Sequence, residues 1–582
     1  MRTATEQRCT ASDGTELFYR HWPAAAAGGP RRGIVLFHRG HEHSGRLQAV
    51  VDGLDLPGYD MFAWDARGHG RSPGERGWAE HFEVLAADAD AFCRHLAAAH
   101  GIEPEDLAVV AQSVGAVVAA AWLHDFAPRV RCAVLAVPAF RVKLYLPFAI
   151  PGLRLLQRFK DPAFISSYVK AKLLTHDPER IASYEADPLI SRAIAVNILV
   201  GLFDAGRRVI ADAPAIVTPT QVLVAGSDWV VRKGPQREFF ARLGAAEKEI
   251  HEFPGFFHDL LGEKDRRLPL GKARGFIERR FAAPPALPSL LDADRRGWTR
   301  QELDRLEAPA PPLPRLGYWL ARRGLASVGR LSDGIRLGLA TGFDSGSTLD
   351  YVYRNRPAGT TPLGRMIDAA YLGSIGWRGI RVRRRHLEAT LAQAFARLDA
   401  AGRPVRLVDV AAGHGRYVLS VLARSTVNGT TALLRDLSEV NVERGRALIG
   451  ELGLGGRATF EKGDAFAPSS LAEIPRDRTV GVVSGLFELF PGNDPVRASL
   501  AGLAAAIGPG GFLIYTNQPW HPQLEFIARV LSSHRDGKPW IMRRRTQLEM
   551  DQLVAAAGFR KLEQRIDRWG IFTVSLAERV AG

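Results

Sequence analysis

The stretch LAVVAQSVGAVVAAAWL, Leu107–Leu123, decides the fold of the first half of the chain. It is the most apolar long run in the sequence. At about 17 residues it is marginal for a membrane span, which needs about 20, and Gln112, Ser113 and Gly115 interrupt it. The run therefore reads as a buried strand, a tight turn and a buried helix. Small–x–Ser–x–Gly between a strand and a helix, here Ala111 to Gly115, is the pattern of a nucleophile elbow. There a strained turn exposes a serine hydroxyl, and closely packed backbones require small neighbours.

Outward from this turn, short apolar runs predict strands at Gly33–His38, Asp60–Asp65, Leu107–Ala111, Cys132–Pro138, Gln221–Gly226 and Lys248–Phe253. Amphipathic stretches such as Trp78–His100 separate them. Strands alternating with helices predict an α/β domain with a parallel sheet covered on both faces. The interval 139–220 breaks the rhythm, and an insertion of that length over a sheet predicts a functional cap.

Two further residues complete a chemistry with Ser113. Asp228 follows one predicted strand, in Gly226-Ser227-Asp228, and His258 follows the next, in PGFFHDL. Ser, Asp and His at successive strand ends is the chain order of the α/β-hydrolases. A serine hydroxyl is a weak nucleophile near neutral pH. His258 would take its proton, and Asp228 would orient and stabilise the resulting imidazolium.

The first strand ends in His38-Arg39-Gly40-His41-Glu42-His43-Ser44-Gly45-Arg46, and Asp65-Ala66-Arg67-Gly68-His69-Gly70-Arg71-Ser72 follows the second. With these motifs residues 10–282 resemble the monoacylglycerol lipase and lysophospholipase branch of the α/β-hydrolases, which also includes serine aminopeptidases. The resemblance implies an oxyanion hole made by the backbone N–H groups of Gly40 and Val114. Arg39 stands where that branch usually has glycine. His41 and His43 lack acidic partners at ligand spacing, so no metal is expected. Within the cap, RVKLYLPFAIPGLRLLQRFK (141–160) mixes bulky apolar residues with cations. It reads either as a helical cap with solvated cations or as a stretch resting on an anionic membrane.

Proline-rich stretches at 282–291 and 308–314 predict a linker, and helical periodicity over 315–400 predicts a connector. The expected division is a hydrolase domain over 1–282, a linker and connector over 283–369 and a second catalytic domain over 370–582. In the latter a new βα alternation begins near residue 404. The strand RLVDV enters Ala411-Ala412-Gly413-His414-Gly415. Small residues there let a ligand approach the backbone, and Asp409 before the turn suits a positively charged ligand better than a pyrophosphate. Asp436 and Asp464 end the next two strands, where acids commonly accept from ribose or adenine groups.

This ordered set resembles the class I S-adenosylmethionine-dependent methyltransferases. The resemblance implies a Rossmann-like second domain and S-adenosylmethionine as cofactor. The implied contacts are Asp409, Ala411, Gly413, Gly415, Asp436, Asp464 and Ser484. Glu488 and His521 are candidates to orient or deprotonate the methyl acceptor. The whole chain is also similar to a bacterial family fusing the two enzymes, through segments such as TGFDSGSTLDYVYRNRP (341–357) and GWRGIRVRRR (376–385).

Composition narrows the partners. The net charge is +15 over 582 residues. Residues 1–282 carry 36 Lys and Arg against 33 Asp and Glu, so the basicity belongs to the second half. Arginine dominates it, the better fork for carboxylate or phosphate. The clusters Arg378–Arg385 and Arg543–Arg545 are expected either to bind an anionic acceptor or lipid surface, or to be solvated helix faces. No aromatic-basic RNA motif accompanies them, so nucleic acid is not expected. Three cysteines, no ligand spacing and no apolar leader predict a reducing cytoplasmic location, with peripheral membrane contact as an option. The expected enzyme is bifunctional: a serine hydrolase of lysophospholipid-like or monoacylglycerol-like esters, and a methyltransferase of a small, lipid-related acceptor. A hydrolase domain that only binds lipid, and an aminopeptidase, are the competing expectations.

Overall fold

A computed structural model describes residues 1–25, 30–167, 169–285, 287–535 and 537–581. Tyr168 of the expected cap and Ala286 of the proline-rich stretch lie outside the described residues. The chain forms two compact units, 1–288 and 289–582. The helices between Trp298 and Leu372 are integral to the second.

The first unit is built on strands β1 (Thr5–Thr10), β2 (Glu16–Trp22), β3 (Gly33–Phe37), β4 (Asp60–Trp64), β5 (Leu107–Gln112), β6 (Cys132–Ala136), β7 (Phe164–Ser166), β8 (Ala193–Ala195), β9 (Thr220–Ala225) and β10 (Lys248–Phe253). Eight of them form one sheet in the order β1-β2-β4-β3-β5-β6-β9-β10, and β7 and β8 pair apart. β3 to β6, β9 and β10 run parallel, while β2 pairs antiparallel with both β1 and β4. Every residue of β5 is buried, as expected of a strand covered on both faces. The helix after it, Val114–Asp125, is buried at every position from Gly115 onward. That double burial is why Leu107–Leu123 reads as one apolar run. Gly115 is required by contact: a Cβ there would lie 2.4 Å from the carbonyl oxygen of His38. The cap interval contributes helices Ala149–Phe159, Pro178–Ala186 and Val196–Ala211 and the β7–β8 pair.

A buried charge cluster fixes the last of these helices to the core. His124 bonds Asp125 and, at 2.7 Å, Asp212, and Arg208 bonds Asp125. Burial opposes a charged His124 ring, but the bonds to Asp125 and Asp212 outweigh it and raise its pKa. The folded state therefore binds this proton more tightly than the unfolded chain. Its stabilisation is complete below the unfolded value of about 6.5 and is lost as pH rises through the raised folded value. Thermal unfolding of this unit should accordingly show a midpoint that falls with pH above about 6.5. His124→Gln should lower the midpoint below that range and flatten the pH dependence.

The second unit carries β11 (Arg406–Val410), β12 (Thr431–Asp436), β13 (Ala458–Lys462), β14 (Arg478–Val483), β15 (Ile507–Asn517), β16 (Phe559–Ile566) and β17 (Thr573–Arg579). Their order is β13-β12-β11-β14-β15-β17-β16, parallel except for β17, which is antiparallel to both neighbours. Strand order reverses between β11 and β14, so the loops after β11, β12 and β14 open at a topological switch point, where open α/β sheets bind ligands. Among the described residues no helix is long and apolar enough to cross a membrane.

Candidate functional site

In the first unit, Ser113 occupies the turn between β5 and the buried helix with φ 53° and ψ −116°. A non-glycine residue at such a φ is strained, and strain of this kind is held only where the surrounding structure imposes it. The hydrogen bonds from Ser113 N to Ala136 O (2.9 Å) and from Ala139 N to Ser113 O (3.1 Å) pin the turn to the end of β6. Ser113 Oγ lies 2.8 Å from His258 Nε2, and His258 Nδ1 lies 2.8 Å from Asp228 Oδ2. An ionised Asp228 only accepts, so the ring proton belongs on Nδ1, and Nε2 accepts from the serine hydroxyl. Asp228 Oδ1 accepts from the N–H groups of Val230 and Val231 at 2.7 and 2.9 Å. Burial disfavours its charge, but His258 and these N–H groups outweigh that and hold its pKa below the ordinary carboxylate range.

Gly40 packs directly against the start of the same helix: a Cβ on Gly40 would lie 2.8 Å from Val114 Cγ2. Its neighbour Arg39 is buried and consumed by partners. It donates to both oxygens of Glu42, at 3.0 and 2.6 Å, and its Nη2 is 3.4 Å from Asp259 Oδ2. Arg46 donates to Glu42 at 3.0 Å, and Arg180 of the cap donates to Asp259 at 2.8 Å. The turn after β3, the residue following His258 and the cap helix Pro178–Ala186 are thus bound in one buried ionic cluster. The arginine that departs from the hydrolase pattern is a brace for this turn. Motif reading could not reveal this, because Asp259 and Arg180 are remote in sequence.

A cavity of about 90 Å³ opens onto Ser113 and His258. Its walls are largely apolar, with Val142, Leu144, Ile165, Leu199, Leu202 and Val231 among them, and the described lining residues include no carboxylate.

In the second unit the expected residues gather at the carboxyl ends of the central strands. Asp409 is fully buried, with Oδ2 accepting from Tyr417 Oη at 2.7 Å and Oδ1 without a partner. Burial pushes its carboxyl well above the ordinary range, against the Tyr417 hydrogen bond and with the Asp436 charge adding to the rise. Ala411 takes φ 58° and Gly413 φ 59°, so the loop after β11 turns through left-handed backbone. A Cβ on Gly413 would meet only Gly346 Cα, at 3.8 Å. Asp436 ends β12 and closes this loop by accepting from Gly413 N at 2.8 Å; its other oxygen accepts from Ser438 N and Asn441 Nδ2, both at 2.9 Å. Asp464 Oδ1 accepts from Phe466 N at 2.8 Å in the loop after β13. Ser484 follows β14, its buried hydroxyl without a partner. Gly415 caps the start of helix Arg416–Arg424 at φ 69°.

Glu488 and His521 are also brought together, lining one cavity of about 340 Å³. Glu488 Oε1 is 3.5 Å from Arg383 Nη1. His521 is buried, which depresses its pKa to about 4, and its Nδ1 accepts from the N–H of Gln523 at 3.1 Å. The proton of the neutral ring is therefore on Nε2, an arrangement suited to donating to an acceptor molecule.

The structure corrects the reading of Arg543–Arg545 as an anion-binding or solvated cluster. All three are 1 % exposed. Arg543 donates to both oxygens of Glu549 at 2.9 and 3.0 Å, Arg544 pairs with Glu302, and Arg545 donates to Phe487 O at 2.6 Å. Arg543 and Arg545 brace the loop that carries Glu488, through the carbonyls of Pro491 and of Phe487, Phe490 and Gly492. Of the other cluster, Arg383 is likewise buried. Sequence reasoning missed Asp350, which pairs with Arg354 and Arg416 and so fastens helix Gly346–Arg354 beside the Gly413 loop. An acid four residues before an arginine, in TLDYVYR, was the available signal.

Comparison with known proteins agrees with this two-part construction. A family model described as "Putative methyltransferase" matches residues 273–579, and one described as "Serine aminopeptidase, S33" matches residues 28–265. The uncharacterized protein YnbC of Escherichia coli (strain K12) is 52 % identical over 583 residues, 99 % of each chain. The monoacylglycerol lipase of Mycolicibacterium smegmatis is 24 % identical over 277 residues, covering 47 % of this chain and 97 % of that protein. The Mus musculus monoglyceride lipase is 25 % identical over 290 residues, covering 47 % and 91 %. With a family model over more than half its length and a relative this similar end to end, the chain belongs to the family of that methyltransferase model, with an α/β-hydrolase domain of the serine aminopeptidase S33 type ahead of it.

Proposed function

We propose that the protein is a bifunctional enzyme: a serine hydrolase of acyl esters joined to an S-adenosylmethionine-dependent methyltransferase. The hydrolase reading is carried by the continuous relay from Ser113 through His258 to Asp228. Ser113 attacks the ester carbonyl while His258 takes its proton; His258 then gives the proton to the leaving alcohol, leaving the acyl group on Ser113. In a second step His258 takes a proton from a water that attacks this acyl group and returns it to the Ser113 oxygen as the acid leaves, with Asp228 stabilising the imidazolium each time. The N–H groups of Gly40 and Val114 hold the charge developing on the carbonyl oxygen. An apolar cavity without a carboxylate supports an acyl ester of the lysophospholipid or monoacylglycerol kind over an aminoacyl substrate, whose free amine would call for an acid. A fluorophosphonate probe should label the protein at Ser113; labelling elsewhere, or none, would sink this half.

The methyltransferase reading is supported by the loops after β11, β12 and β14. Asp409 and Ser484 each keep a buried polar atom without a partner, and Gly413 leaves open space beside the backbone. An unpaired buried polar atom costs about 1–3 kcal/mol, so these atoms suit a bound group. Asp409, Ala411, Gly413, Gly415, Asp436, Asp464 and Ser484 would hold the methyl donor, which supplies an activated methyl group. Glu488 and His521 would orient the acceptor. Calorimetric titration with S-adenosylhomocysteine tests this half, and absence of binding would overturn it.

The cap supports peripheral membrane contact. Helix Ala149–Phe159 has no buried residue, and Phe148 and Phe159 at its ends are 85 % and 83 % exposed beside Arg154, Arg158 and Lys160. Inserting such rings is worth about 1.5–3 kcal/mol each. Co-sedimentation with vesicles containing anionic phospholipid should fall at least about tenfold in Phe148→Ser/Phe159→Ser. Unchanged sedimentation would refute the contact.

A further inference from the structure

The cavity shared by Glu488 and His521 has more structure than an orienting pair requires. Its volume, about 340 Å³, falls in the range of small-molecule sites, about 300–1,000 Å³. Ile335, Trp377, Ile380, Ile527, Trp540 and Phe572 provide apolar walls, with the two indole rings stacked at 6.2 Å between centroids.

Three N–H donors belong to residues that line this apolar space. Gln518 is 3 % exposed, and its Nε2 has no partner. Trp540 Nε1, also buried, has none. The third is Nε2 of His521, since Nδ1 is committed to Gln523. Donors left unpaired in such surroundings call for acceptor atoms on a ligand.

The charged lining argues against an ionic head group. Arg383 already faces Glu488 at 3.5 Å and lies 5.1 Å over the Phe572 ring. Asp344 is occupied by Ser533 Oγ at 2.7 Å and by His534. One guanidinium against two carboxylates leaves no surplus positive charge for a carboxylate or phosphate. An ammonium group would meet the three donors, while the carboxylates of Glu488 and Asp344 already face Arg383 and Ser533 with His534.

We infer that this cavity binds a neutral amphiphile, an apolar chain or ring body ending in an uncharged oxygen that accepts from Gln518, Trp540 and His521. That the bound molecule is the methyl acceptor rests on the methyltransferase reading; that it binds does not.

The test uses the full chain without methyl donor. Calorimetric titrations compare 1-decanol, decanoate and decylammonium as monomers. The first unit also has an apolar cavity, so each titration is repeated on Ala370→Trp, which places a bulky ring at the lining of this cavity from an exposed position and leaves the core intact. The expected result is decanol binding that Ala370→Trp weakens at least about tenfold. Gln518→Leu should weaken it about three- to tenfold, the worth of one hydrogen bond, and decanoate and decylammonium should bind this cavity more weakly. Equal or tighter binding of either ion there, or decanol binding indifferent to both substitutions, overturns the inference. A parallel titration with S-adenosylhomocysteine separates the two readings: its failure beside intact decanol binding removes the methyltransferase role alone.

Discussion

Ser113→Ala should lower kcat for acyl-ester hydrolysis by about 10⁵- to 10⁶-fold, the loss expected when the nucleophile of an integrated relay is removed. The position argues for a clean result. The strained backbone at φ 53° is imposed by the bonds to Ala136 and Ala139, which alanine retains. Removing one hydroxyl leaves His258 and Asp228 paired, so the fold and the unfolding midpoint should be unchanged. The residual rate would come from the N–H groups of Gly40 and Val114 and from substrate binding. Hydrolysis of a short-chain nitrophenyl ester before and after the substitution measures it. A variant that keeps a tenth of the activity would mean that another nucleophile does the chemistry, or that the first unit only holds its ligand.

The second large effect is expected at Asp436. Its carboxylate accepts from Gly413 N, Ser438 N and Asn441 Nδ2, so one side chain both closes the loop after β11 and offers its charge to the donor site. Hydrogen bonds to a charged group are worth about 1.5–3 kcal/mol each. Asp436→Ala removes all three, opens the loop after β11 and should weaken binding of S-adenosylhomocysteine by more than about 100-fold. Ester hydrolysis by the first unit of the same chain is the internal control and should not move. Undiminished affinity would mean that this loop is not where the methyl donor binds.

Much of this was legible in the sequence, and for stated reasons. The parallel strands β3 to β6 and β9 were predicted to within a residue or two because strands buried on both faces are written as largely apolar runs; β10, the half-buried edge strand KEIHEF, matched its expected bounds without that signal. β1, β2 and β16 were not predicted. β1 and β16 lie at sheet edges, and their mostly polar sequences, TEQRCT and FRKLEQRI, carry neither an apolar run nor a regular alternation to mark a strand. Ser113, Asp228 and His258 were legible as a set because chain order and small neighbours at strand ends mark them, and the fold brings them within hydrogen-bond reach. Asp409, Gly413, Asp436 and Asp464 were legible for the same reason, as residues of strand ends and the turns after them.

The arginines were the hardest to place. A run such as Arg543-Arg544-Arg545 carries no mark of whether its charges face water or are neutralised inside. Two of their partners, Glu302 and the carbonyl of Phe487, come from distant parts of the chain, and the third, Glu549, faces them only once the next helix has formed. Arg39 posed the same problem. A residue that breaks a family pattern is an anomaly in one dimension and becomes a brace only when Asp259 and Arg180 are brought beside it.

The amino-acid sequence by itself therefore determined the two α/β units and the residues that stand at their strand ends. Both rest on local pattern, periodicity and turn residues, whereas the cofactor class expected of the second unit is implied by its resemblance to a known family. Only the tertiary structure decided what the positive charge is for and what the second unit's cavity can hold. Charge pairing and cavity shape arise from residues far apart in sequence, so they exist only once the chain has folded.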